Sequence, residues 1–486
     1  MLKYLHKTKT AVALAAVLGA SALTMPNAQA VNLTSDGLGD VLFFPYYTTR
    51  AGWNSYFHLT NTSDRTAILK VRFREAYNSR DVRDFNLILS PHDVWTAAVV
   101  PNATNTGARV ITDDKSCTAP LLPDVGNGFT GIDFTNTAYT GTFADGGPSS
   151  LERTAEGYFE VWVMGVSTVP ESAIADTNVV EYNSQHVSGV PRDCGVVAQQ
   201  FVTPPTAGTG VWTTFPSPAD GTFETRNRIA GNSTLINVAN GQAVGAEPTA
   251  LGSCEVDNIY EPRDASPTAA NCAFTSTVVV DTYSGDPGTQ QTEVVNSDFA
   301  SGVNAVSAAM MRSALINEWT TAAATNATTD WVITFPTKHH YTDTVAIAPF
   351  QSAFAPSAVG LEDGTSCDDV TINAWNREEL TQGGDVGFSP PEDTGTRFCY
   401  EVNVLTFNNS DVLSSAVSNN ISPVVGDRGW ARIGLGNLTI TDTLSRVYTG
   451  KPVIGFGLTV RNNAVVEGNN RNFASAHDHK YERNIQ

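Results

Sequence analysis

The chain predicts a mainly β fold of antiparallel, Ig-like β-sandwich domains with long loops and one helix near residues 298–321. Three observations carry this. Ile68 to Glu75 alternates strictly, with Leu69, Val71 and Phe73 on one parity and Lys70, Arg72 and Arg74 on the other. Short strand-like runs recur between polar turn clusters along the first hundred residues. Charged residues are only 16% of the 486, while Thr, Ser, Asn and Gly abound, a mix that suits strands and turns better than helical bundles.

The first thirty residues read as an export leader. Lys3, Lys7 and Lys9 form a basic start, Ala11 to Leu23 is apolar, and Ala28-Gln29-Ala30 offers a small-x-small cleavage pattern. Cleavage after Ala30 is expected, and the apolar run is shorter than the ~20 residues that span a membrane. Val41 to Tyr47 is the first strand, and Pro45 within it argues for an edge or a bend. Ser55–Thr60, Ile68–Glu75, Phe85–Leu89 and Val94–Val100 follow, with Trp95 as a core anchor. Residues 110–150 read as loops with short strands, and Glu156–Val166 resumes a strand. Residues 31–166 thus form an N-terminal sandwich.

Residues 167–325 are poorer in pattern and read as a loop-rich elaboration. Strands are expected at 233–238 and 275–283. Ser297 would cap a helix in which Val303, Val306, Met310, Ala314 and Asn317 fall at helical spacing. Residues 326–468 form a C-terminal β domain that either stands alone or completes the first sandwich. Its strands are expected from Asp330 to Phe335 and at 344–350, 369–375, 398–407, 430–435 and 452–461. The polar tail, 469–486, is read as partly disordered or as a final strand.

The segments GDVLFFPYYT, KVRFREAYNSRDVRDFNLILSP and HDVWTAAVV, with the later DWVITFPTKHHY and FCYEVNVLTF, resemble a group of uncharacterised proteobacterial exported proteins. Those are commonly described only as cell-surface proteins. The resemblance implies secretion and surface display, and it brings no catalytic residues.

The net charge of −20 becomes −23 once the three leader lysines are removed. Such a surface repels nucleic acid and anionic headgroups. Six cysteines, an even count in an exported chain, favour disulfides. Nearest-neighbour pairing is the expectation: Cys117 with Cys194, Cys254 with Cys272, Cys367 with Cys399. Sequence alone leaves the other connectivities open.

No GxSxG elbow, HExxH, P-loop or strand-linked GxGxxG occurs, so no catalytic residues and no cofactor are assigned. Paired carboxylates would carry no such motif. Metal candidates are the histidines His339-His340, His477 and His479, and Asp363, Asp368 and Asp369, whose hard oxygens suit Ca²⁺. Lys70, Arg72 and Arg74, with Arg80 and Arg83 near in sequence, form either a face for an anionic glycan or acidic partner, or cross-strand pairs with acids. Tyr46, Tyr47, Trp53 and Tyr56 are candidates for stacking on sugar. The function expected is an exported, non-enzymatic structural or adhesive protein at the cell surface, outside the cell or in the periplasm. The competing reading is a carbohydrate-binding or carbohydrate-active secreted protein. Surface glycans or other surface proteins are the expected partners, with no transmembrane helix in the mature chain.

Overall fold

A computed structural model describes residues 30–167, 170–174, 177–201, 228–254, 268–282, 291–343, 345–353, 364–380, 396–421, 426–463, 465–466 and 469–486. The leader up to residue 29 and the candidate ligand Asp363 lie outside them. Strand makes up 50% and helix 12%, so the fold is mainly β.

The first sandwich is built from β1 (Asn32–Leu33), β2 (Val41–Thr48), β3 (Trp53–Asn61), β4 (Ala67–Glu75), β5 (Asp81–Leu89), β6 (Val94–Pro101), β7 (Ala108–Thr112), β8 (Cys117–Ala119), β9 (Asp124–Gly126), β10 (Phe129–Asp133) and β11 (Glu156–Val166). Three later strands join them: β12 (Ile229–Asn237), β13 (Gln242–Gly245) and β14 (Thr249–Gly252). One seven-stranded sheet runs β1-β14-β2-β11-β4-β5-β8, and its partner runs β13-β12-β3-β6-β7-β10-β9. Between them lies a core of Phe44, Phe57, Leu69, Phe73, Trp95 and Phe159 with their neighbours. Residues 229–252 therefore complete both sheets and are no mere elaboration. Their alternation is diluted by Asn, Ser and Gly, which weakens the sequence signal.

Pro45 sits inside the first sheet, between β14 and β11. The register slips there, with Phe159 opposite Phe44 and Gly157 opposite Tyr47, so the missing N–H falls at a bulge.

Strands β2, β4 and β11 are buried on nearly every residue of both faces. The second face is covered by a hairpin of β15 (Thr275–Thr282) and β16 (Gln291–Asp298), by the helix Gly302–Met310 (α1), and by the second sandwich. The helix is shorter than the 298–321 expected. Ser301 caps it by accepting from Asn304 N–H, and the chain then enters β17 (Ala314–Thr320). Pairing of β17 along its whole length with a neighbouring strand overrides its local helical spacing.

The second sandwich comprises β17, β18 (Ala327–Thr334), β19 (Asp368–Asn376), β20 (Thr396–Phe398), β21 (Val402–Phe407), β22 (Ser418–Ile421), β23 (Arg428–Gly434), β24 (Ile454–Arg461), β25 (Phe473–Asp478) and β26 (Lys480–Glu482). Its sheets run β20-β19-β23-β17-β26 and β22-β21-β18-β24-β25. Trp319, Trp331, Ile333, Phe407 and Ile433 fill the space between them. The tail contributes β25 and β26, so it is ordered into both sheets. Residues 345–350 form no strand. Val332, Phe456 and Leu458, on the opposite face of the β18 sheet, meet Tyr46, Trp53 and Tyr158 of the first sandwich. That contact fixes how the two sandwiches meet.

Candidate functional site

Two recesses gather polar and aromatic side chains. The larger, about 700 Å³, lies where the β4–β5 turn meets the segment after β18. Glu75 organises the turn by accepting from the N–H groups of Tyr77, Asn78 and Arg80. Ser79 within it adopts a left-handed φ of 62°. Its hydroxyl lies 2.7 Å from the Tyr158 hydroxyl, which in turn donates to Pro336 O. Arg74 bonds Glu160 and donates to Ser79 O. From the other sandwich come His339 and His340, on the short helix His339–Thr342 (α2), and Glu401 behind them.

Desolvation sets the protonation of this recess. Burial pushes the Glu401 carboxyl up to about 8, with Lys338 pulling the other way. Burial, reinforced by Arg74, holds His340 down at about 4, and His339 is likewise lowered well below its ordinary value by burial and by His340. Burial also raises Asp81. At neutral pH both imidazoles are therefore held neutral and the Glu401 carboxyl is biased toward its protonated form. His339 Nδ1 and Glu401 Oε2 face each other at 4.0 Å, neither hydrogen-bonded. Perturbed groups around a cleft between domains are a recognised mark of functional sites.

The second recess, about 450 Å³, opens beside the outer sheet of the second sandwich. Strand β26 pairs only with Ala314–Ile316 of β17, so Asn317–Thr320 run past its end. Trp375 and Trp430 are directly opposite on β19 and β23, their rings stacked at 4.2 Å and 16°. Trp430 is 40% exposed. Glu318, paired with Trp430 in register, lines the recess with Asn376, Arg377, Arg428 and His477. This is an aromatic platform flanked by hydrogen-bonding groups of both kinds.

The residues singled out from sequence are dispersed. Lys70 and Arg72 are buried against acids: Lys70 Nζ is 3.7 Å from Asp84, and Arg72 lies between Asp81 and Glu160. The basic face is thus the cross-strand ion-pair set, with β5 and β11 supplying its acids in the same sheet and the second sandwich lying over it. It is not an exposed partner patch. Of Lys70, Arg72 and Arg74, the last lines the larger recess. Arg80 also lines it, 3.6 Å from Asp145, whereas Arg83 donates to Asp133 O away from it. Tyr46, Tyr47 and Trp53 are core residues at 0%, 0% and 1% exposure, which removes them as sugar platforms, while Tyr56 is exposed.

The metal candidates do not converge. Asp368 is taken by Lys451 and Lys338, and Asp369 by Arg397. The two aspartates are adjacent on β19 and so point to opposite faces. His479 donates through Nε2 to Val332 O and accepts at Nδ1 from Asn317, which leaves no nitrogen for a metal. His477 lines the second recess. Among the described residues no group of three His, Cys, Asp or Glu is placed to hold a metal. The cysteines pair as Cys117–Cys194, Cys254–Cys272 and Cys367–Cys399.

Sequence reasoning passed over Ser79, Glu401, Trp375 and Trp430. For Trp430 a signal existed: Ala431, Ile433 and Leu435 hold the core parity, so Trp430 falls with Arg432 on the outer one. Comparison of the chain with protein families, curated proteins and solved structures finds no match.

Proposed function

We propose that the protein is an exported surface protein whose C-terminal sandwich binds carbohydrate and so serves adhesion. The observation that carries this is the Trp375–Trp430 pair, in which the exposed Trp430 ring stacks on the half-buried Trp375 on a sheet face and lines a polar recess. A pyranose ring offers a C–H face that packs on an indole, and its hydroxyls need both donors and acceptors at the rim. Arg377 and Arg428 supply donors, and Glu318 supplies acceptors. Removing a large aromatic from water also favours occupancy, at roughly 25 cal/mol per Å² of apolar area covered.

Export is supported by the leader-like first thirty residues and by three disulfides, which persist in oxidising compartments. Among the described residues no helix is long and apolar enough to cross a membrane. A glycan array probed with the full chain and with Trp430→Ala tests the proposal. Binding to a defined set of glycans by the parent, lost in the variant, supports it. Binding unchanged in the variant, or no glycan bound by either, overturns it.

A further inference from the structure

At the start of β19, Asp368 lies between two lysines from distant parts of the chain. Lys451 Nζ is 2.7 Å from Asp368 Oδ1, and Lys338 Nζ is 3.5 Å from Oδ2. The side chains of the three are 1%, 1% and 0% exposed, in the order Lys451, Lys338, Asp368. The Phe350 ring lies 4.8 Å from Lys451 Nζ, and Pro349 O accepts from the same nitrogen. Gln351 N–H donates to Asp368 Oδ1 at 2.8 Å, whereas Oδ2 makes no hydrogen bond.

Burying three charges with an excess cation is costly, several kcal/mol per ion before their attraction is counted. The same arrangement holds an amine hydrogen-bonded to a carboxylate oxygen, one bond from the carboxyl carbon, with solvent shut out. Fixed proximity of this kind is equivalent to reactant concentrations of roughly 10⁵–10⁸ M.

The geometry points to a covalent amide between Lys451 Nζ and Asp368 Cγ, an internal cross-link that the folded protein makes by itself with loss of one water. Nζ attacks Cγ, and the new C–N bond places negative charge on Oδ1, where Gln351 N–H already donates. Oδ2 departs as water with two protons that originate on Lys451 Nζ, and the third proton stays as the amide N–H. Lys338, beside Oδ2, is placed to pass those protons and ends as it began. An ammonium and a carboxylate become a neutral amide and water, so charge and atoms balance and no further reactant is needed. Burial, against the pull of Asp368, lowers Lys451 below its ordinary range, which enriches the neutral amine the attack requires. Glu401, close enough to feel Lys338, is a further proton-holding group.

The bond would join β19 to the chain entering β24, 83 residues apart in sequence, beside Cys367–Cys399. This does not depend on carbohydrate binding. The test is mass spectrometry of the full-length exported protein, purified folded, then reduced and digested with trypsin. The expected result is that peptides 339–377 and 447–461 stay joined, lighter together by one water. Asp368→Ala is expected to release both at full mass. Two separate full-mass peptides from the folded parent protein overturn the proposal, whether or not the variant folds.

Discussion

Arg153 Nε donates to Glu75 Oε2 at 2.8 Å, with both side chains wholly excluded from solvent. Arg153 Nη2 also reaches Asp145, and its guanidinium lies 4.3 Å from the Tyr139 ring centroid. Since Glu75 in turn accepts from three N–H groups of the 76–80 turn, this pair holds one wall of the larger recess. Arg153→Ala leaves the buried Glu75 without its guanidinium and Asp145 with Arg80 at 3.6 Å in its place, and is expected to cost about 3–5 kcal/mol. Urea denaturation measures it. A loss within 1 kcal/mol, on the order of a surface pair, would mean the turn is held by something else.

Stability is expected to depend on pH with opposite signs from two sets of groups. Glu401 stands near 8 in the fold against an ordinary 4.5, so the folded chain keeps a proton that the unfolded chain has lost between those values. Stability therefore falls as pH rises from 4.5 through 8, by up to roughly 1.4 kcal/mol per unit. Glu401→Gln is expected to flatten that slope, and an unchanged slope would contradict it.

His340 and His479 sit near 4 against 6.5. They stay neutral in the fold while the unfolded chain takes up protons, so their contribution is present above 6.5 and lost as pH falls through 4. NMR of the imidazole nitrogens should find His479 protonated on Nε2 at neutral pH and titrating near 4.

Two tryptophans separate binding from folding. Trp331 is fully buried between the sheets of the second sandwich, and Trp331→Ala is expected to cost about 3–5 kcal/mol. Trp430→Ala removes a partly exposed ring and is expected to shift the thermal midpoint little while abolishing glycan binding. Equal destabilisation by both would place Trp430 in the structural core.

Reduction tests the covalent staples. Cys117–Cys194 spans 77 residues and pins the helix Cys194–Gln199 over Ile68 and Ile88. The pair Cys117→Ser with Cys194→Ser is expected to cost about 2–5 kcal/mol. Circular dichroism melts with and without reductant check it.

Much of the fold was legible locally. The parity of Leu69, Val71 and Phe73 placed them in the core, Trp95 joined them, and each cysteine paired with its nearest neighbour. The helix was overextended because Ala314, Leu315 and Trp319 continue a helical spacing, and only the partner strand β23 shows the segment to be extended. The tail's short polar runs leave partial disorder and a final strand both open, and they order as strands by completing sheets whose other strands lie far back in the chain.

The sites were less legible, for a related reason. Nothing around Ser79 announces His339, and nothing around Trp375 announces Trp430, since each pair meets only through packing or register. Sequence by itself determined which side chains share a face of a strand, because backbone geometry alternates them whatever surrounds it. Only the tertiary structure decided what lies against that face. Lys70, Arg72 and Arg74 share one and pair with acids across the strands, one of the two readings the sequence left open, and the second sandwich stacked upon the sheet buries that ion-pair layer.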